Sequence, residues 1–285
     1  MNLKHLLIFP AAAALATACC TSSAGRSGLP ADMPFEMPAV VRPAIPARSV
    51  SVADFGGRGD GHTLSTDAFA SAIEALSQQG GGRVVVPAGV WYTGPIVLKD
   101  NIELHLAQNS MIVFSDDKSL YPLVQITFEG LNTWRCQSPI SAMNAKNVAI
   151  TGSGVIDGNG DAWRAVKRGK LTEGQWKSKV RSGGIVSDDG NTWYPSDNFK
   201  FGATSGSDQN VSTWARTRED FAKMKDFLRP VLVAIHHCEN VLLEGVTFQN
   251  SPCWHIHPAM CTNLSVSLVH ISEPTRHLRI SYAGF

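Results

Sequence analysis

Asn240-Val241-Leu242-Leu243-Glu244-Gly245-Val246-Thr247-Phe248 is followed, about one solenoid turn later, by Asn263-Leu264-Ser265-Val266-Ser267-Leu268-Val269. Each stretch places an Asn at a turn and then alternates apolar residues, the signature of a short strand with one buried face. Two earlier stretches repeat the pattern: Asn101-Ile102-Glu103-Leu104-His105-Leu106 and Asn147-Val148-Ala149-Ile150-Thr151-Gly152. A repeat period of roughly 20–50 residues points to stacked units, each burying its inward side chains against the next. Short strands, many Gly and Asn turns and little helix favour a parallel β-helix. A β-sandwich with chance Asn turns is the alternative that periodicity leaves open.

Upstream of the repeat the chain is differently built. Val52-Ala53-Asp54-Phe55-Gly56 leads through Gly59-Asp60-Gly61 to Ala68–Gln79, where Phe69, Ile73 and Leu76 share a helical face. Thr66 or Asp67 is expected to cap this helix and Gly80 to end it. Gly80-Gly81-Gly82, Arg83-Val84-Val85-Val86 and Pro87-Ala88-Gly89 then read as a strand between turns. Residues 162–226 interrupt the repeat. They are polar, rich in Lys and Arg, and carry Trp163, Trp176, Trp193 and Trp214. A large loop leaving one coil is expected there, with basic and Trp side chains placed either to attract and stack on an acidic sugar chain or simply to form a solvated surface.

The chain has 285 residues, 44% hydrophobic and 17% charged, with a formal net charge of +1. Such a chain buries a sizeable core, and it lacks the basic surplus of a general nucleic-acid binder. Residues 1–19 read as an export signal: Lys4 and His5, an apolar Leu6–Ala16, and small residues before Cys19. The arrangement resembles a bacterial lipoprotein signal with lipidation at Cys19, and an ordinary secretory signal is the alternative. Residues 20–50, rich in Ser, Gly, Pro and Ala, read as a flexible tether. An exported chain permits disulfides. However, Cys136, Cys238, Cys253 and Cys261 lack metal-type spacing and most of them read as buried small hydrophobes; a Cys253–Cys261 bridge is an open alternative with no support in the sequence.

Three segments are sharper. Gly152-Ser153-Gly154-Val155-Ile156-Asp157-Gly158-Asn159-Gly160 precedes Trp163; Leu228-Arg229-Pro230 precedes Cys238-Glu239-Asn240-Val241; Asn250-Ser251-Pro252-Cys253-Trp254-His255-Ile256-His257-Pro258 follows. With the Asp54-Phe55-Gly56 and Gly80-Gly81-Gly82 regions, which look like the N-terminal cap of the pectin-lyase-like superfamily, they resemble family 28 glycoside hydrolases, the polygalacturonases. The resemblance covers about three quarters of the chain. It implies an all-β, right-handed parallel β-helix, single-stranded, with a short N-terminal capping helix. It also implies a domain over 51–271 that is cut short at its C-terminal end.

The family hydrolyses α-1,4-galacturonan with inversion, for which an acid and a base must flank the bond, roughly 6.5–9.5 Å apart. The resemblance places these carboxylates in an Asn-Thr-Asp segment and a following Asp-Asp pair, with Gly-His-Gly and Arg-Ile-Lys beyond. None occurs here in context, so no catalytic residue is carried onto this chain, and it is expected to be inactive as it stands. The tail 272–285 departs from the repeat. A frameshift or junction near Ser267 to Ser272 is one reading, and a true early stop after divergence is the other. Asp116-Asp117 and Asp188-Asp189 read as solvated turn residues, and Asp157 as a turn-maker.

The candidate substrate-binding residues are Trp254, His255, His257 and Arg229. Alternation puts His255 and His257 on one face and Trp254 on the other. A metal at the two histidines lacks a third ligand in sequence, so neither metal nor cofactor is expected. The implied partner is an acidic plant polysaccharide, with no nucleic acid, membrane contact only through the lipid anchor, and a monomeric chain. The implied location is the periplasm or cell surface of a bacterium. A calcium-using pectate lyase is a rival that the sequence gives no clustered Asp ligands. A β-helix that binds polysaccharide without cutting it is the rival outside enzymes.

Overall fold

A computed structural model describes residues 40–206 and 212–272. The signal segment with Cys19, most of the tether and residues 273–285 lie outside the described residues. Residues 40–272 fall within one compact unit.

Three parallel sheets form the body. The first runs in the order Ser49–Ser51, Gly82–Val86, Ile102–Leu106, Lys146–Gly152, Glu239–Glu244, Thr262–Ser267. The second stacks Gly89–Thr93, Ser110–Phe114, Val155–Asp157, Thr247–Gln249 and His270–Ser272, and the third stacks Ile96–Leu98, Ile140–Met143, Val233–His236 and Ile256–Ala259. The chain visits the three sheets in turn, and each strand pairs in parallel with its counterpart one coil away. This is a parallel β-helix and excludes the sandwich alternative. It is right-handed, as crossovers between parallel strands are.

Inward residues stack in columns. Val84, Leu104, Ile150, Leu243 and Val266 are in register on the first sheet. Trp91, Ile112, Ile156 and Phe248 do the same on the second, and Ile96, Ile140, Val233 and Ile256 on the third. Most members of these columns are fully buried in one continuous core. The repeated Asn residues explain the sharp corner at the start of four of the six first-sheet strands. Asn101, Asn147, Asn240 and Asn263 all adopt left-handed backbone angles, φ 53–58°, a region Asn tolerates better than most residues. Their side chains link coil to coil. Asn147 Nδ2 donates to Asn101 Oδ1 at 2.8 Å, Asn240 Nδ2 to Asn147 Oδ1 at 3.2 Å, and Asn263 Nδ2 to Asn240 Oδ1 at 3.0 Å. At the far corner only glycine fits position 152: its φ is 109°, and a Cβ there would lie 1.9 Å from Leu106 O.

The helix at Thr66–Ser77 closes the first coil, burying Ala68, Phe69, Ala72, Ile73 and Leu76. Its N-cap is Ser65 rather than Thr66 or Asp67; the Thr66 hydroxyl instead accepts from Gly94 N at 2.7 Å. The described end of the presumed tether is part of the body. Ser49–Ser51 pairs with Arg83–Val85. Ahead of it Ala44 N donates to Asn147 Oδ1, and Arg42 forms an ion pair with Glu244. At the other end His270–Ser272 still pairs in register with Thr247–Gln249.

Two excursions leave the third corner. One is an antiparallel hairpin, Leu123–Phe128 with Leu131–Cys136. The other occupies the chain between Asp157 and Val233. It is not the irregular loop expected from its polarity. It contains a small antiparallel sheet of Val166–Lys167, Thr192–Tyr194 and Ile185–Val186, and helices at Glu173–Arg181, Asp197–Thr204 and Arg218–Ala222. Phe199, Phe221, Met224, Phe227 and Leu228 form its own core, together with Leu123 of the hairpin.

Candidate functional site

The hairpin lies against the outer side of the third sheet. Ile126 and Phe128 pack on Val231 and Ala234. Phe128 in turn carries Trp254, the two rings stacked at 4.7 Å and 17°. Trp254 stays 41% exposed, so the stack presents a flat aromatic face to solvent. His257 closes the group, 5.5 Å from Trp254 and 5.7 Å from Phe128 by ring centres. Its Nδ1 shares a hydrogen bond of 3.0 Å with Nε2 of the buried His236.

Guanidinium groups surround this stack. Arg135, almost wholly buried, lies 3.9 Å from the Phe128 ring centre, and its Nη2 donates to Arg229 O at 2.6 Å. Arg229 Nη1 donates to Pro252 O at 2.8 Å, and Arg164 Nη2 donates to Ser251 O. Two of them, Arg229 and Arg164, thus bond the turn that delivers Trp254, Arg135 backs Phe128, and Arg164 also pairs with Asp161 at 3.2 Å. Burial lowers Arg135 to about 10 and lowers Arg229 as well; both stay charged at neutral pH. His257 is lowered, by burial first and then by Arg135. Burial, then His257 and His237, take His236 down to about 4. The histidine pair is therefore neutral at pH 7, and the local positive charge belongs to the arginines. Such a surface suits an anionic ligand with a flat apolar face, as a pyranose uronate has.

Of the residues expected from sequence, Arg229, Trp254 and His257 come together. His255, the fourth, is buried, 8% exposed. The parity expected for the strand also fails. The strand begins at Ile256, so Trp254 and His255 belong to the preceding turn, where period-two alternation does not apply. Trp254 and His257 consequently meet on one side instead of facing apart. Phe128, Arg135 and His236 were missed. Glu129 and Gly130 both have positive φ, at 51° and 79°, giving the two-residue turn that fixes the hairpin. A Glu-Gly pair signals that turn more weakly than Asn-Gly.

The tryptophans of the excursion are not a sugar platform. Trp163, Trp176 and Trp193 are 0–6% exposed, and Trp214 packs against the excursion's core. The acidic lookalikes are structural. Asp157 accepts from Asn159 N, Gln249 Nε2 and Asn250 Nδ2. Asp116 accepts from the Tyr92 hydroxyl, Asp117 caps the turn at Lys118–Leu120, Asp188 pairs with Lys200, and Asp189 holds Asn191. Among the described residues no three His, Cys, Asp or Glu side chains converge as metal ligands. Cys136, Cys238, Cys253 and Cys261 are all free thiols, so the Cys253–Cys261 bridge is not formed.

No family model matches the chain. A probable polygalacturonase of Vitis vinifera is 28% identical over 239 residues, covering 81% of this chain and 38% of that protein. An exo-poly-alpha-D-galacturonosidase of Dickeya chrysanthemi is 30% identical over 219 residues, covering 73% of this chain and 33% of the relative. Among solved structures, a hyperthermoactive exopolygalacturonase from Thermotoga maritima matches with a TM-score of 0.60 at 38% identity, covering 82% of this chain and 49% of that one. The chain thus spans about a third to a half of the length of these proteins.

Proposed function

From the premise that the chain is related to the family 28 glycoside hydrolases, the polygalacturonases, we propose that it binds the galacturonan chain of pectin at the Trp254–Phe128 stack. The half-buried Arg229 beside the turn adds positive potential for the uronate carboxylates, and the exposed Trp254 supplies the stacking surface. The observation that carries this reading is the exposed tryptophan stacked on Phe128, on a turn that Arg229 bonds. Inverting hydrolysis also needs two carboxyl groups across the bond. The carboxylates Asp116, Asp117, Asp157, Asp188 and Asp189 are committed to turns and ion pairs. We therefore assign to the Trp254 surface the binding of polygalacturonate, within the framework of a polygalacturonase.

The test is titration of the full chain with oligogalacturonides, beside an assay for new reducing ends. Trp254→Ala is expected to weaken binding about tenfold, the loss of a well-placed stacking residue, with no reducing ends released by either protein. Unchanged affinity in Trp254→Ala would remove the site. Release of reducing ends would instead show that the chain is a working hydrolase.

A further inference from the structure

At the corner where the third sheet hands the chain to the first, two cysteines stand one over the other. His236 is in register with Ala259 at the end of the third-sheet strands, and Glu239 with Thr262 at the start of the first-sheet strands. Each coil spends two residues between these points, His237-Cys238 in one and Met260-Cys261 in the next, so nothing shifts the register across the corner. His237 and Met260 take the same left-handed backbone, φ 54° and 55°. Backbone bonds clamp both sides: His237 N donates to Ala259 O and Thr262 N to Cys238 O, each at 2.9 Å. Cys261 therefore lies over Cys238 at about the spacing of neighbouring strands, 4.7–4.9 Å. Disulfides join residues whose Cα atoms are roughly 4.4–6.8 Å apart.

The two sulfurs are turned alike. Cys238 Sγ donates to His236 O at 3.3 Å, and Cys261 Sγ meets the equivalent Ala259 O at 3.5 Å. Cys261 Sγ also donates to Ile235 O at 3.2 Å, so it leans onto the coil that carries Cys238. Both side chains pack on the main core. Cys238 is 2% exposed, and burial raises its thiol pKa, whereas Cys261 is half-buried and open to a reagent. Cys253 stands apart: the strand Ile256–Ala259 separates it from Cys261, and it packs on the hairpin side with Ile126 and Phe128. One coil earlier the same corner position is Ala145, so the pair belongs to these two coils.

We propose that Cys238 and Cys261 form a redox pair, a modification site at which a disulfide-bearing oxidant closes an intramolecular bridge between successive coils. Cys261, once deprotonated by water, attacks one sulfur of the oxidant. The oxidant's S–S bond breaks, its second sulfur leaves as a thiolate and takes up a proton, and a mixed disulfide remains on Cys261. Cys238 then gives its proton to water and attacks Cys261 Sγ, expelling the other half of the oxidant as a thiol. Two protein thiols are oxidised to one disulfide, and one oxidant disulfide is reduced to two thiols. The bridge spans the two coils that His236 and His257 already join by a hydrogen bond. It fastens the strand Ile256–Ala259, which follows Trp254, to Val233–His236, so oxidation holds the coil of the aromatic site in place.

The experiment incubates the folded full chain with oxidised glutathione. Remaining thiols are then blocked with N-ethylmaleimide under denaturing conditions, and linked peptides are mapped by mass spectrometry. Cys238 and Cys261 are expected in one linked pair, with Cys136 and Cys253 carrying maleimide. The oxidised chain should unfold at a urea concentration about 1 M higher, the effect of closing a short loop, and dithiothreitol should reverse the shift. Oxidation should leave the midpoint of Cys261→Ala unmoved; Cys261→Ser takes its place if circular dichroism shows Cys261→Ala unfolded. Cys253→Ala should keep the full shift. Maleimide on both Cys238 and Cys261 after oxidation overturns the proposal, as does glutathione retained on Cys261 or a bridge from either cysteine to a different one. A Cys238–Cys261 bridge that leaves the midpoint unchanged or lowers it overturns the fastening role.

Discussion

His236 shows how one residue ties the site to stability. It is 2% exposed and shares its Nε2 with His257. In the folded chain its pKa falls to about 4, whereas an unfolded histidine titrates near 6.5. Between these values the unfolded chain takes up a proton that the folded chain refuses, so stability drops as pH falls from about 6.5 to about 4 and is complete above 6.5. The loss is on the order of 2–4 kcal/mol. Urea unfolding at pH 7 and pH 4.5 should show it, and His236→Gln should flatten the difference. An equally steep loss in His236→Gln would place its origin elsewhere.

The elements differ in how openly the sequence announces them. The capping helix was legible because Phe69, Ile73 and Leu76 fall on one face, and those side chains are buried. Phe69 also meets Trp91 edge to face, with ring centres 6.4 Å apart. Phe69→Ala opens a cavity beneath the first coil and should cost about 3–5 kcal/mol; a urea midpoint unmoved by the substitution would show that the helix is dispensable as a plug. Four of the six first-sheet strands were legible for a similar reason, since an Asn with positive φ stands at the start of each. The excursion after Asp157 was not legible. Its aromatic residues are spread thinly among charges, and only tertiary contact with Leu123 and Trp134 of the hairpin gathers them into a core. The site suffered likewise. Trp254, His257 and Arg229 could be picked out by residue type. Their geometry depends on where a strand starts and on a hairpin that crosses from another coil, and neither is written in local alternation.

The Asn ladder runs from coil to coil along the solenoid and joins the corners of four successive first-sheet strands. Asn147 sits at its centre. It donates to Asn101 and accepts from Asn240 and from Ala44 N. Asn147→Ala removes these bonds and puts Ala in a left-handed conformation, for about 2–3 kcal/mol. A loss below about 0.5 kcal/mol in denaturant unfolding would mean that the ladder follows the corners without holding them.

The segment ahead of Ser49 has a consequence for the order of assembly. Solenoid contacts join each coil to the next, so the body can grow as its strands arrive. The strap breaks that rule. Arg42 reaches Glu244 across 202 positions of sequence, and Ala44 reaches Asn147 across 103. Both partners are displayed on coils laid down long after the strap itself. The latch therefore has nothing to close on until the fourth coil has stacked in register, and a one-residue slip anywhere below would turn Glu244 away from it. An early segment of the chain thus waits on a late one, and its closure reports that the coils between have been counted correctly.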